Sequence, residues 1–395
     1  PNILWIDIDD QSPWYGAYGD DTVSTPNLDA LASHGVIFER AYAPVPVCAP
    51  TRSAMVTGVY PIRAGTHDMR SGRVPGYQIV LPDEITTLPE LMRQAGYETY
   101  NAHKDDYNFS YDRRDLYSFG NPANPYSPGH PDGKDGSSKK YKGMRGTGSW
   151  RDVEEGPFFG QMSIPGGKSV EDIDNELRSL GLEPVDPATI RVPAQYPDIP
   201  QVRQHVADHY NSIMRTDHRV GELIQQFKDE GLWGNTVFIL YSDHGSDLPR
   251  SKYYVYSEGL RIPFIIAAPG MDIFEPGRRE DLVNLMDIAA TTLGLAGIDT
   301  PQFMDARDVF AEDYQREYVF SSADRMSNTI DRTRSVMGER FHYIRNFMLD
   351  RPLFNWNVFE IIAKIRDPDG KTTSHMAMRR MAEAGELSGA QMAPY

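Results

Sequence analysis

The stretch NILWIDIDD, residues 2–10, is a mainly apolar run that ends in two adjacent aspartates. Its first seven residues show no alternation of polar and apolar side chains, which is typical of a parallel strand buried on both faces. In open α/β sheets, functional side chains follow the carboxyl ends of the strands. The stretch therefore predicts a central strand and, at Asp9 and Asp10, the sheet edge where a site would lie.

Further strands and helices alternate after this run. We predict strands in YETYNA, PFFGQMSI, NTVFILYS and LRIPFIIAAPG, and helices over 25–35, 86–96, 202–231 and 279–297. Strands alternating with helices indicate the α/β class. The expected architecture is a three-layer sandwich, with a large mixed, mostly parallel sheet flanked by helices.

The C-terminal part has a different pattern. REYVFSSA, RTRSVMGE and RFHYIRNF are short segments of alternating polarity, and a helix is expected near 357–365. This pattern favours a small antiparallel sheet with a helix. We therefore predict a large α/β domain over 1–314 and a smaller α+β subdomain over 315–395.

The charge balance limits the kind of partner. The 395 residues include 40 basic and 56 acidic side chains, for a net charge of −16. A general nucleic-acid-binding surface would need the opposite sign, so an anionic substrate must be held by a few local cations. No run approaches the roughly 18 apolar residues of a membrane span. A single cysteine excludes an internal disulfide.

Three predicted strands end in charged residues. Asp9 and Asp10 follow the first strand, Lys104 follows YETYNA, and Asp243 and His244 follow VFILYS. Each pair taken alone also fits a loop start or a turn cap. Together they predict an oxygen-rich site with one imidazole, which suits Ca²⁺ or Mg²⁺ better than Zn²⁺, while the histidine ligand leaves room for Mn²⁺ or Zn²⁺.

The only cysteine, Cys48, lies in PVCAPTRSAMVTG (46–58). Helix signals begin at Pro50–Thr51, so we expect Cys48 just before a helix N-terminus, where free amides stabilise an anion. Arg52 adds a fixed positive charge. A buried structural cysteine is the ordinary alternative. A thiolate phosphatase loop is excluded, because it needs five residues between the cysteine and the arginine and this chain has three.

These residues resemble the type I sulfatases of the alkaline phosphatase superfamily, in which the cysteine of a C-x-P-x-R core is converted to formylglycine. The likeness includes Pro46, Cys48, Pro50, Arg52 and the closing Thr57-Gly58. It extends, in the family's order, through NILWIDIDD, TPNLDALASHGVIFERAY, GYETYNAHK, SDHGS, LRIPFIIAAPG and DIAATTLGLAGI, over about residues 2–350.

The resemblance implies a role for each matching residue. Asp9, Asp10, Asp243 and His244 match the ligands of a divalent cation, usually calcium. Cys48 matches the formylglycine and Arg52 the residue that steadies it, while Lys104 and Lys252 match lysines that contact the sulfate. In the family's mechanism, one hydroxyl of the hydrated aldehyde attacks sulfur and the second expels sulfate.

Two places depart from the family pattern. The family has Gly-Lys-x-His where this chain has HKDDYN, so Asp106 stands two places after Lys104. An acid beside a sulfate is repulsive unless it binds a sugar hydroxyl or pairs with a lysine. Many members also carry a histidine after the strand that matches PFFGQMSI, and this chain has PGGKS instead. Lys168 is the candidate replacement, with a solvated loop lysine as the alternative.

Other candidates are less specific. His67 and Arg70, in GTHDMRSG, follow the signature helix and are expected to line a substrate pocket. Tyr107 and Asn108 are weaker sugar-binding candidates. The last two, His205 and His209, have a spacing that metal sites use, but packing or surface roles are expected.

The expected function is hydrolysis of a sulfate ester on a sulfated oligo- or polysaccharide. The resemblance implies calcium, a formylglycine-generating enzyme as maturation partner, and a periplasmic or secreted location. No signal peptide is expected in this chain, because it opens directly on a predicted strand. One alternative is a phosphonate or phosphate diester hydrolase on the same fold, and another is a catalytically inactive protein that binds sulfated glycans.

Overall fold

A computed structural model describes residues 1–69, 78–119, 148–168, 170, 172–326, 329–350 and 373–392. The strands of the large sheet, in chain order, are β1 (Asn2–Ile8), β2 (Gly35–Tyr42), β3 (Glu98–Asn101), β4 (Phe158–Ile164), β5 (Thr236–Ser242), β6 (Phe264–Ala267) and β7 (Gly277–Asn284). A small sheet contains β8 (Val319–Met326), β9 (Thr329–Met337) and β10 (His342–Asn346).

The helices of the described residues are α1 (Pro26–Ser33), α2 (Cys48–Thr57), α3 (Pro61–Ala64), α4 (Leu88–Gln94), α5 (Arg113–Leu116), α6 (Ile173–Ser179), α7 (Pro200–Asp229), α8 (Ser257–Leu260), α9 (Asp287–Leu295), α10 (Ser374–Glu383) and α11 (Gly389–Met392). Single 3₁₀ turns lie at Gly16–Tyr18, Trp150–Asp152 and Trp233–Asn235. None of these helices has both the length and the apolar composition that crossing a bilayer requires.

The large sheet has the strand order β3-β4-β1-β5-β6-β2-β7. All neighbouring strands are parallel except β6, which is antiparallel to both β5 and β2. The carboxyl ends of β1, β2, β3, β4 and β5 therefore lie at one edge of the sheet. The loops that follow these five strands are brought together there, which places the candidate site.

Apolar side chains fill both sides of the sheet. Every residue of β1 is buried, as its sequence predicts. Trp5 points to the layer that includes α2, α4 and α9, where its indole nitrogen donates a 3.0 Å hydrogen bond to Thr292. Leu4 and Ile6 point to the opposite layer, with α1 and α7. The predicted three-layer sandwich and the separate antiparallel sheet are both confirmed.

Three element predictions need correction. Residues 279–297 were expected to form one helix, but their first part belongs to β7, which pairs in parallel with β2. The strand β2 itself was not predicted, and α6 lies in a region expected to be a connection. In each case a short segment with weak periodicity takes its structure from tertiary pairing or packing. The helix expected near 357–365 lies outside the described residues.

The small sheet has the order β10-β9-β8 and is antiparallel throughout. It lies within the predicted subdomain 315–395, whose boundary at residue 314 stays a prediction. Its buried face joins Val319, Ala323 and Met337 to Val45 and Val47 in one apolar cluster. The small sheet thus supports the segment that leads into Cys48.

Candidate active site

The turn after β1 places two aspartates at the sheet edge. The backbone amide of Asp9 donates a 3.3 Å hydrogen bond to the Ile164 carbonyl, and the backbone amide of Gln11 donates a 2.9 Å hydrogen bond to the Ser242 hydroxyl. Between them, Asp10 has a left-handed backbone with φ 57°. This conformation is uncommon for a residue with a Cβ, and it indicates that the surrounding contacts hold the turn in place. Both aspartates are buried.

Cys48 is the first residue of α2 rather than the residue before a helix, because α2 begins two positions earlier than expected. Its sulfur lies 3.2 Å from His244 Nε2 and 3.9 Å from Lys252 Nζ. The side chain is also 4.0 Å from an Asp10 oxygen. The helix N-terminus and the nearby cation both favour an anion at this position.

Arg52, one turn further along α2, is buried among carboxylates. It contacts Asp7, and it pairs with Asp9 at 2.6 Å and Asp243 at 3.1 Å. Its guanidinium also donates to the Lys104 carbonyl at 3.1 Å. A planar guanidinium with several donors suits this multiple pairing. Arg52 therefore joins the ends of β1 and β5 to the loop after β3.

Asp7 belongs to the candidate site, although the sequence pattern does not single it out. It lies inside β1, where we treated the run as apolar, and its carboxylate pairs with Arg52. Burial raises the pKa of Asp7 to about 7, although the Arg52 charge opposes this shift. The sequence does contain a signal for this role, namely an aspartate inside an otherwise apolar strand. A charged group buried in a strand needs a partner of opposite charge.

Three lysines reach the same cluster of carboxylates. Lys104 Nζ lies 3.2 Å from Asp9, Lys252 Nζ 2.5 Å from Asp10, and Lys168 Nζ 3.7 Å from Asp9. The Lys168 side chain is 38% exposed, against 19% for Lys104 and 9% for Lys252. Lys168, from the loop after β4, is thus the lysine that solvent reaches most easily.

Asp106 is placed where it pairs with a lysine. Its carboxylate lies 3.5 Å from Lys104 Nζ. The preceding residue, Asp105, is held by a buried ion pair with Arg113 at 2.7 Å and a hydrogen bond from Tyr111 at 2.6 Å. A buried pair of this kind is costly to break, since one charge would be left unpaired. The loop that carries Lys104 is therefore anchored from behind.

The donor atoms fit a hard divalent cation. One ligand atom each of Asp10, Cys48, Asp243 and His244 lies within 4.8 Å of the others, and Asp7, Asp9 and Asp243 form a second such group. Carboxylate oxygens are the preferred ligands of Ca²⁺ and Mg²⁺. Asp243 belongs to both groups. Three of the four residues that the sequence predicts as metal ligands, Asp10, Asp243 and His244, share the first group, and the fourth, Asp9, shares the second group with Asp243.

Charged neighbours set the protonation of Cys48 and His244. Burial would raise the pKa of the Cys48 thiol, but the charges of Lys104 and Lys252 outweigh it and lower the pKa to about 7. Burial would lower the pKa of His244, but Asp243 and Asp10 outweigh it and raise the pKa to about 9. An anion at position 48 is therefore favoured by its surroundings.

The remaining candidates lie in different places. His67 is half-buried and lies 3.6 Å from Asp324 of β8, while Arg70 lies outside the described residues. Tyr107 is buried and shares a 2.5 Å hydrogen bond with Tyr117. Asn108 is fully buried and donates to the Thr66 carbonyl at 2.9 Å. The placement of Tyr107 and Asn108 favours packing roles over sugar contacts.

The two histidines of α7 bond to different partners. His205 lies 2.7 Å from the Ser374 hydroxyl and 3.1 Å from an Asp247 oxygen. His209 lies 2.5 Å from the Ser12 hydroxyl, next to the turn after β1. Both side chains are buried, which agrees with the packing roles expected for them.

Two glycines let the loop after β4 approach the turn after β1. A Cβ added at Gly166 would lie 2.1 Å from the Asp9 carbonyl oxygen, and one at Gly167 2.4 Å from that of Asp10. We predict that Gly166→Ala lowers the free energy of unfolding by about 2 kcal/mol or more, because backbone must shift to admit the methyl group. Urea denaturation measures this change.

The matched control for this prediction is Gly277→Ala. A Cβ at Gly277 has no heavy atom within 4 Å. The free energy of unfolding should therefore change by less than about 0.5 kcal/mol. Equal stability of the two variants would show that the loop after β4 does not need its close approach to the turn.

Known proteins match this chain in sequence and in fold. The Sulfatase family model matches residues 1–298. An "Ulvan-active sulfatase" from Formosa agariphila is 30% identical over 365 residues, which cover 88% of this chain and 61% of that protein. The chain thus spans about three fifths of the length of this relative.

Solved structures share the fold. One chain, from work on glycosaminoglycan metabolism by Bacteroides thetaiotaomicron, has a TM-score of 0.67 at 20% identity, covering 88% of this chain and 86% of that one. The phosphonate monoester hydrolase of Agrobacterium radiobacter also has a TM-score of 0.67, at 17% identity, covering 98% and 96%. The family model, together with this fold and with Cys48 beside clustered carboxylates and lysines, leads to one conclusion: the chain belongs to the sulfatase family.

Proposed function

We propose that the chain hydrolyses sulfate esters on a sulfated carbohydrate. The observation that carries this proposal is the convergence of four cations, Arg52, Lys104, Lys168 and Lys252, on the carboxylates around Cys48. The whole chain has a net charge of −16, so the cations provide a local positive site within an acidic protein. Such a site suits a small, multiply coordinated anion.

Position 48 is proposed to carry formylglycine, made from Cys48 by a formylglycine-generating enzyme. Hydrated formylglycine supplies a hydroxyl nucleophile and a second hydroxyl that a serine lacks. The chain's own contribution is electrostatic: Lys252 lies 3.9 Å from the Cys48 sulfur, and Arg52 holds the carboxylates at the strand ends. These groups fix the position of the nucleophile and offset the negative charge of the sulfate.

The metal is proposed to be calcium, held by Asp9, Asp10, Asp243 and His244. A divalent cation there would supply positive charge to a sulfate oxygen and favour the ionised nucleophile. With mainly carboxylate oxygens among the ligands, the set suits Ca²⁺, while Mg²⁺ or Mn²⁺ stay possible. Asp7, which contacts Arg52, is proposed to support these ligands from behind.

The substrate is proposed to be an oligo- or polysaccharide. The relative from Formosa agariphila is named for activity on ulvan, and a solved structure of the same fold comes from work on glycosaminoglycan metabolism. An enzyme that acts on such external glycans would be exported, so a periplasmic or secreted location is part of the proposal. His67 and Arg70 are proposed to contact the sugar.

The direct test is sulfate release from a panel of sulfated glycans, using protein co-expressed with a formylglycine-generating enzyme. An aryl sulfate and an aryl phosphodiester are assayed alongside. Faster turnover of the sulfates supports the proposal, while faster turnover of the phosphodiester would assign the chain to the alternative diester hydrolase. Glycan binding without sulfate release by fully converted protein would instead indicate an inactive binding protein.

Lys168 is proposed to donate the proton to the departing sugar oxygen, because it is the most exposed of the three lysines. We predict that Lys168→Ala lowers kcat about 10²-fold or more on a sugar sulfate. An aryl sulfate has a good leaving group that needs less protonation, so its kcat should fall much less. The ratio of the two kcat values is the measurement.

A matched control is Lys228→Ala, at the exposed end of α7. It should leave both kcat values unchanged. An equal loss on sugar and aryl sulfates in Lys168→Ala would contradict proton donation and assign Lys168 to sulfate binding alone.

A further inference from the structure

The small sheet turns one face away from the apolar cluster that supports Cys48. We call this the outer face and define it by side chains that alternate with the buried ones on the three strands: Phe320, Arg332, Arg334, Val336, Tyr343 and Arg345. Successive side chains of a strand point to opposite sides of a sheet. The opposite face, with Val319 and Met337, is buried.

An apolar row crosses the outer face. Val336 is paired with Phe320 on one side and with Tyr343 on the other. Phe320 is 51% exposed and Tyr343 61% exposed. These two exposed rings and Val336 between them offer apolar surface that a ligand can contact.

A row with two arginines runs beside the apolar row. Arg334 is paired with Ser322 on β8 and with Arg345 on β10. Arg334 forms an ion pair with Asp324. The guanidinium of Arg345 stacks on the Phe347 ring at 4.6 Å and has no carboxylate partner in the described part of the chain. It is therefore available to an anionic ligand.

The local charge differs from that of the chain. Residues 319–346 contain five arginines and three acidic side chains, whereas the whole chain has a net charge of −16. Arginine binds sulfate and carboxylate groups through two parallel hydrogen bonds. Aromatic rings present flat apolar surface to the C–H face of a pyranose ring. The outer face combines both kinds of contact in adjacent rows.

Strand β8, which carries part of the outer face, is hydrogen-bonded to segments that lead to the candidate active site. The Ser322 amide of β8 donates to the Pro44 carbonyl at 3.0 Å, four residues before Cys48. The Met69 amide donates to the Arg325 carbonyl at 3.0 Å, which joins β8 to the loop that carries His67. His67 in turn lies 3.6 Å from Asp324, the partner of Arg334.

We propose that the outer face binds an anionic polysaccharide, holding sugar units beyond the one that loses its sulfate. The rings of Phe320 and Tyr343 would contact sugar faces, and Arg345 would bind a sulfate or carboxylate group. This proposal rests on the proposed function for the identity of the glycan. The binding itself does not require catalysis, so the two are tested separately.

The experiment measures dextran sulfate binding to the catalytically disabled Cys48→Ala chain by affinity electrophoresis, with uncharged dextran as the neutral probe. Adding Tyr343→Ala and Arg345→Ala should raise the dissociation constant for dextran sulfate about tenfold, since a ring contact and a bidentate contact are lost. Arg345→Glu alone should weaken binding at least as much as Arg345→Ala, without removing apolar surface. Arg191→Ala, an exposed arginine outside the sheet, is the control.

The outcomes separate the proposal from its alternatives. Weaker dextran sulfate binding in both the double variant and Arg345→Glu, with Tm and oligomeric state unchanged, supports the proposal even if no sulfate release is ever found. Unchanged affinity overturns it. A shift in oligomeric state would show that a second copy of the chain covers the outer face. A large fall in the Tm of Arg345→Glu would show that another part of the same chain packs against it. Both results also overturn the proposal.

Discussion

Cys48→Ala is expected to lower sulfate release by at least about 10⁴-fold, the largest effect we predict. The sulfur lies at the N-terminus of α2, 3.2 Å from His244 and 3.9 Å from Lys252, so alanine at this position removes the reactive atom that these groups surround. The lysines and the proposed metal ligands remain in this variant, so glycan binding should persist. Turnover of a sulfated oligosaccharide and its binding are measured on the same preparation.

The same prediction has a chemical control in the unmodified protein. Conversion of the cysteine to formylglycine lowers the mass of its peptide by about 18 Da. Activity should rise in proportion to the converted fraction across preparations made with and without the formylglycine-generating enzyme. Sulfate release from fully unconverted protein, or from Cys48→Ala within tenfold of the starting enzyme, would contradict a nucleophile at this position.

The strand-end residues could be predicted because the position of the site follows from the topology. Once NILWIDI and VFILYS are identified as parallel strands, Asp9 and Asp243 must lie at one sheet edge, and β1 and β5 are indeed direct neighbours. Arg52 could be placed one turn after Cys48 from the helix signals. Its three carboxylate partners come from two separate strands, and only the fold brings them together.

The errors have equally local causes. The segment 279–297 contains a helix, but its first residues pair with β2 at the sheet edge, a contact between positions about 240 residues apart. Asp7 was not predicted as a site residue, because it lies within an apolar run and its ion-pair partner, Arg52, is distant in sequence. Helix α2 begins at Cys48 because the residue before it, Val47, already has an extended backbone and ends the preceding loop.

The second large effect concerns Asp243, whose carboxylate belongs to both groups of candidate ligands and pairs with Arg52 at 3.1 Å. Asp243→Asn keeps the shape of the side chain and removes its charge. We expect the dissociation constant for calcium to rise about 100-fold and the rate of sulfate release to fall at least about 10³-fold. The reasons are that a neutral amide is a poorer ligand than a carboxylate and that Arg52 loses one of its ion pairs. Metal content is measured by elemental analysis of dialysed protein.

A readout independent of activity is the thermal stabilisation that calcium provides. A cation that binds the native state raises Tm by an amount set by its concentration relative to its dissociation constant. The Tm of the starting protein should rise with added Ca²⁺ and fall when a chelator is added, while the Tm of Asp243→Asn should change little at the same concentrations.

Asp247→Asn is the matched control, since Asp247 is also buried, lies four residues further along the chain, and is hydrogen-bonded to His205. A calcium response that survives in Asp243→Asn would place the metal elsewhere, whereas its absence from the active starting protein would remove calcium from the proposed mechanism. The two variants thus separate loss of a metal ligand from loss of a buried charge in the same loop.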